Sequence, residues 1–177
     1  MDKHDSTVDR QPGELIGRVP GAIIVVDDRV ARGQRPDRSG PAAVAALGER
    51  GVDCPAPRVV AEEEAEIAAA IRAALAGGAR LVFTAGGTGV TPRDVVPEVT
   101  RGFLEVELPG LATQILLRGV ANTPLAGLSR GLVGVTGRGA EAAVVVNAPG
   151  SRGGVRDAAA VVGEVLPNLL EQLGGGD

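Results

Sequence analysis

Residues 22–26 read AIIVV, an apolar run with no polar interruption. A strand with one wet face would alternate apolar and polar residues, so this run fits a strand covered on both faces. Residues 81–84, 132–135 and 143–146 read as further strands, and 57–60 as a short one. Helical patterns separate them. Ser39-Gly40-Pro41 opens an alanine-rich helix, with Pro41 suited to its first position and Gly51 to its stop. Residues 62–76 read as a helix because Ile67, Ile71 and Leu75 recur every four residues, and Glu62, Glu63 and Glu64 favour the positive end of its dipole. Weaker patterns cover 98–103 and 111–118. The last helix carries Val155, Ala158, Val162, Leu166, Leu169 and Leu173, and Pro167 is expected to kink or split it. Strands alternating with helices in this way predict an α/β fold with a mainly parallel sheet and helices on both faces.

The 177 residues are 44% hydrophobic and 23% charged, within the range of one compact domain. Segments 1–20 and 174–177 lack a sustained apolar period and read as tails around a domain over 21–173. Cys54 is the lone cysteine, which rules out an internal disulfide and a Cys-x-x-Cys motif. His4 is the lone histidine and lies in a polar stretch, so Ser-His-Asp and Cys-His mechanisms are set aside. The net charge of −4 and the absence of Trp and Tyr argue against nucleic acid or an anionic membrane as partner. No run reaches the roughly 18 apolar residues of a membrane span, so a soluble, cytoplasmic protein is expected.

In a parallel sheet the ligand crevice lies beyond the carboxyl ends of the strands. Three such segments stand out: Asp27-Asp28-Arg29 leading to 35–41, then 85–94, then 147–154. Gly86, Gly87 and Gly89 let backbone N–H groups approach an anion, and a following helix adds its positive end. Thr88, Thr91 and Ser151 offer hydroxyls, while Arg93 and Arg152 offer the positive charge that the whole chain lacks. Together these groups suit a phosphate. The segment is neither a P-loop, lacking Gly-Lys-Ser/Thr, nor a dinucleotide fingerprint, because Pro92 stands where the third glycine belongs. The plainer alternative is that the glycines only make tight turns. Asp94 also reads two ways, as a cap for the next helix or as a carboxylate holding Mg²⁺ against a phosphate. Cys54 reads as a core filler.

Residues 84–100, TAGGTGVTPRDVVPEVT, resemble the Gly-Gly-Thr-Gly…Pro-Arg-Asp-Val-Thr-Pro-Glu signature of the MogA and MoaB proteins of molybdenum cofactor biosynthesis. Asp28-Arg29, Asp37 to Pro41, Pro109-Gly110 with Arg118, Leu128-Ser129-Arg130-Gly131 and Asn147…Pro149-Gly150-Ser151 fall in that family's order. The resemblance implies a three-layer, mostly parallel but mixed sheet of the molybdopterin-binding domain fold, shared with domains of MoeA and gephyrin. It also implies a protein that binds molybdopterin and adenylylates its terminal phosphate with Mg²⁺-ATP. On that reading Asp94 is catalytic and holds the metal. Asp28, Ser39, Gly40, Gly86, Gly87, Thr88, Gly89, Arg93, Ser129, Arg130, Pro149, Gly150 and Ser151 line the pocket. Family members are trimers, or hexamers built from trimers, and other proteins of the pathway are candidate partners.

This chain departs from the pattern at three points. Ala61-Glu62 replaces the Pro-Asp pair that carries a second catalytic aspartate, making Glu62 the candidate there. Val96 replaces a threonine, and Ala148 the usual leucine. The alternative is therefore a non-catalytic, MoaB-type pterin-binding or scaffold protein of the same pathway. A CinA-like domain is a weaker option, because that group varies the motif toward Gly-Gly-Leu-Gly.

Overall fold

The computed structural model describes residues 17–176. Strand β1 (Val19–Val26) runs next to β4 (Leu81–Ala85), and β4 next to β7 (Val144–Ala148), all parallel. On its other edge β1 pairs with the short β2 (Val52–Asp53) and β3 (Arg58–Val60), also parallel. Beyond β7 the sheet turns antiparallel through β6 (Val133–Val135) to β5 (Val106–Glu107), giving the order β2-β1-β4-β7-β6-β5.

Period-two alternation splits each central strand between two cores. Ile23 and Val25 of β1, Phe83 of β4 and Val144 and Val146 of β7 point to one face. There they meet α2 (Ser39–Gly48), α5 (Pro109–Val120) and α6 (Arg152–Leu173), through Leu47, Ile115, Val155, Val162 and Leu166. Ile24, Val26, Val82 and Val145 point to the other face, against Ile67 and Ile71 of α3 (Glu64–Ala76) and Val96 of α4 (Val96–Arg101). The mainly parallel sheet with helices on both faces is thus confirmed, and it is mixed. Each such fully buried side chain contributes roughly 1.5–3 kcal/mol.

Some local expectations shift. β1 begins at Val19, inside the segment read as an N-terminal tail; 1–16 lie outside the described residues. Gly174, Gly175 and Gly176 close the last helix with backbone bonds, and Asp177 lies outside the described residues. Pro41 is the third residue of α2, not the first, and α3 starts at Glu64. Pro167 does not split α6, which runs unbroken from Arg152 to Leu173. Buried Val162, Leu166 and Leu173 on either side of it outweigh the single backbone bond that a proline forfeits. Sequence periodicity missed a one-turn helix, α1 (Asp28–Ala31), and a 3-10 turn over Pro124–Leu128.

Candidate functional site

The chain leaves β4 through Gly86 and Gly87, whose φ values of 103° and 65° lie in the left-handed region. A Cβ at Gly86 would stand 2.3 Å from the Val26 carbonyl oxygen, and one at Gly150 3.2 Å from the Gly86 Cα. The Gly86 N–H donates to the Ala148 carbonyl at 3.0 Å. The carboxyl ends of β1, β4 and β7 therefore meet at a spacing that excludes side chains. Val96 supports the turn from below: its N–H donates to the Gly87 carbonyl at 3.2 Å, and a Cβ at Gly87 would strike its methyl at 2.6 Å.

A second segment braces this loop. Ser129 Oγ donates to Thr88 Oγ1 at 3.0 Å, and the Arg130 N–H to the Thr88 carbonyl at 2.8 Å. The Arg130 guanidinium donates to the carbonyls of Gly89 and Asp94, both at 2.7 Å, and pairs with Glu98. Arg130 is a strut for the glycine loop. At the third segment Ser151 caps α6, its Oγ accepting from the Gly154 N–H at 3.0 Å. Arg152 and Gly153 then supply the unsatisfied amides of the first turn, at the positive end of a 22-residue helix.

Between these segments and α5 lies a cavity of about 560 Å³, a size usual for small-molecule sites. Thr88, Gly89, Ser129, Pro149, Ser151 and Gly153 form its polar rim. Ile115, Leu116, Leu125 and Leu128 form an apolar wall from α5 and the 3-10 turn. That wall was not foreseen: the only hint in the sequence is that apolar residues around Ile115-Leu116-Leu117 exceed what one helix face can bury.

The charged residues gather beside the rim. The Asp28 carboxylate accepts from Arg93 Nε at 3.1 Å and from Nη2 at 2.9 and 2.7 Å, and from the Glu62 N–H at 2.9 Å. Arg93 Nη1 donates to Glu63 at 2.7 Å, so this guanidinium is held by two carboxylates. Asp27 caps α1 and pairs with Arg35. Asp94 does not cap α4, whose N-cap is Val95. It accepts instead from the Thr91 N–H at 2.9 Å and from Thr91 Oγ1 at 2.7 Å through Oδ2. Burial opposes ionisation of Asp94, but the bonds from Thr91 and from the Gly89 backbone outweigh it and hold its carboxyl below the usual range. Glu62 goes the other way, raised first by burial and then by the charges of Asp28, Asp94 and Asp27. Glu62 and Asp94 thus share one electrostatic environment. Gly89 joins the two halves, lining the cavity while a Cβ on it would stand 2.9 Å from Asp94 Oδ2.

Ser39 and Gly40 are placed differently. Asp37 Oδ1 accepts from the Ser39 N–H at 3.0 Å, from Ser39 Oγ at 3.2 Å and from the Gly40 N–H at 2.9 Å. The donors expected to grip a ligand anion are closed by the chain's own carboxylate. Asn147 is buried beneath the rim, its amide nitrogen donating to Thr84 Oγ1 at 3.0 Å and to Thr100 Oγ1 at 2.9 Å. Its Oδ1 accepts the Leu132 N–H at 3.1 Å.

Sheet, rim and cavity form an α/β domain with a candidate small-molecule site at the carboxyl edge of its parallel strands. A family described as "Probable molybdopterin binding domain" matches residues 22–169. The molybdenum cofactor biosynthesis bifunctional protein of Synechococcus elongatus is 35% identical over 169 residues, 96% of this chain and 52% of that one. The molybdopterin adenylyltransferase of Pyrococcus furiosus is 35% identical over 86 residues, 49% of this chain and 50% of that one. The crystal structure of the molybdopterin biosynthesis enzyme MoaB of Thermus thermophilus superposes with a TM-score of 0.79 at 37% identity, covering 89% of this chain and 97% of that one. The chain belongs to the molybdopterin-binding domain family of molybdenum cofactor biosynthesis proteins, with the MogA/MoaB fold. It spans about half the length, or less, of the first curated relatives it matches.

Proposed function

We propose that the chain binds molybdopterin and transfers an adenylyl group from Mg²⁺-ATP to its terminal phosphate. The supporting observation is the meeting of the Gly86–Gly89 turn, the first turn of α6 and an apolar cavity at one edge of the sheet. The backbone amides of Gly87, Thr88 and Gly153 receive the phosphate, and the apolar wall takes the organic part of the ligand. Asp94, beside Gly89, and Glu62, which feels its charge, face the nucleotide. Their oxygens fit a hard cation that takes its other ligands from phosphates. Bound Mg²⁺ supplies neutralisation of phosphate charge.

The chemical step asks little of the protein beyond alignment. A terminal phosphate oxygen attacks the α-phosphorus of ATP, the new P–O bond forms, and the bond to the β-phosphate oxygen breaks to release pyrophosphate. The chain's part is to hold the attacking phosphate on its amides and keep Asp94 ionised. In this reading the domain runs from the start of β1 to the end of α6 and works in the cytoplasm as a homotrimer or hexamer, beside other proteins of the pathway. Among the described residues no helix is long and apolar enough to cross a membrane.

Incubation with molybdopterin and Mg²⁺-ATP should yield adenylylated pterin and pyrophosphate, and Asp94→Asn should lower the rate at least about 100-fold while molybdopterin still binds. No turnover beside an active homologue contradicts the enzyme reading. The binding of Arg93 by Asp28 and Glu63, and of Asp94 by Thr91, favours a second reading, a MoaB-type pterin binder without catalysis. That protein would bind molybdopterin with an affinity indifferent to ATP.

A further inference from the structure

The cavity holds one acidic side chain that neither the glycine loop nor the phosphate reading uses. Asp157 lines it from the second turn of α6, with its side chain 18% exposed. Gly153 also lines it, and residues four apart share a helix face about 6 Å apart along the axis. One face of α6 therefore offers an amide for an anion and, a turn later, a carboxylate. A carboxylate would repel a phosphate, so Asp157 serves another part of the ligand. Arg118 Nε stands 3.3 Å from Asp157 Oδ1 on a half-exposed side chain, and Oδ2 is without a partner among the described residues.

Resting on the molybdopterin reading above, we infer that Asp157 recognises the 2-amino-4-oxopyrimidine edge of the pterin. That edge presents two neighbouring N–H donors, on N3 and on the 2-amino group, which match the two oxygens of one carboxylate. The apolar wall formed by Ile115, Leu116, Leu125 and Leu128 covers the ring faces, where this chain has no aromatic side chain to stack. The ligand class is thus the 2-amino-4-oxopteridines. A 2,4-dioxopteridine carries an acceptor in place of the amino donor and meets the carboxylate with repulsion.

The test is equilibrium binding of pterin and of lumazine, the 2,4-dioxo analogue, to the full chain, with molybdopterin binding measured alongside. Wild type should prefer pterin by about tenfold or more, the worth of one hydrogen bond to a charged group. Asp157→Asn, which keeps the shape, should abolish that preference and weaken molybdopterin by a similar factor. Arg118→Gln, at an exposed position, should keep the preference. Equal binding of pterin and lumazine by wild type overturns the inference, as does an unchanged preference or molybdopterin affinity in Asp157→Asn. Failure of wild type to bind molybdopterin at all would remove the reading beneath it, a result distinct from loss of discrimination alone.

Discussion

Asp28 and Arg93 lie 65 positions apart and close on each other as a forked pair, with Asp28 also receiving the Glu62 amide. The backbone bond from Glu62 lowers the carboxyl of Asp28 most; burial opposes this and Arg93 assists. A carboxyl lowered in the folded state stabilises the fold above its unfolded value, about 3.9, and that contribution disappears as pH falls through the folded value. Wild type should therefore exceed Asp28→Asn in urea midpoint at pH 7, and the gap should shrink by pH 3. An unchanged gap would contradict the pairing. Nothing local to either residue signals this partnership: Arg93 reads as a phosphate ligand from its motif, and only the fold shows that Asp28 and Glu63 occupy it. Asp37 and the Ser39–Gly40 turn repeat the lesson, since a side chain that closes its own turn looks in sequence like one that leaves it open. The glycines were legible because their need is local. Gly86 and Gly87 sit at positive φ whatever binds there.

At the level of elements, Asn147 ties β7 to Thr84 of β4, to Thr100 of α4 and to the Leu132 amide at the start of β6. Asn147→Ala removes all three bonds and strands the Leu132 N–H, at a cost of about 2–4 kcal/mol in urea unfolding. A loss below about 0.5 kcal/mol would show that the strands hold their places without it. The long apolar strands and the helices α3 and α6 could be read from periodicity, because each buries a full face, whereas α5 buries only Ile115 and carries a weaker pattern. The pairs Val52–Asp53 and Val106–Glu107 could not, since two residues carry no period and their pairing is set by β1 and β6. The antiparallel turn of the sheet at β6 depends on the same long-range pairing. The cavity wall was hidden for a related reason: α5 and the 3-10 turn carry exposed Leu116, Leu125 and Leu128, which periodicity alone does not assign to a site.

Across the whole molecule, a chain of net charge −4 has no global field to draw in an anionic ligand, so capture falls to oriented amides in one place. Two of the three loops picked out in the sequence, those after β4 and β7, meet there, while the Ser39–Gly40 turn is satisfied internally. A crystal structure with molybdopterin bound tests this most directly. The terminal phosphate should lie within hydrogen-bonding distance of the Gly87 and Thr88 amides or the Gly153 amide, with the ring system along the wall from Ile115 to Leu128. A phosphate seated at Ser39–Gly40, or on any face away from the carboxyl edge of β4 and β7, would contradict it.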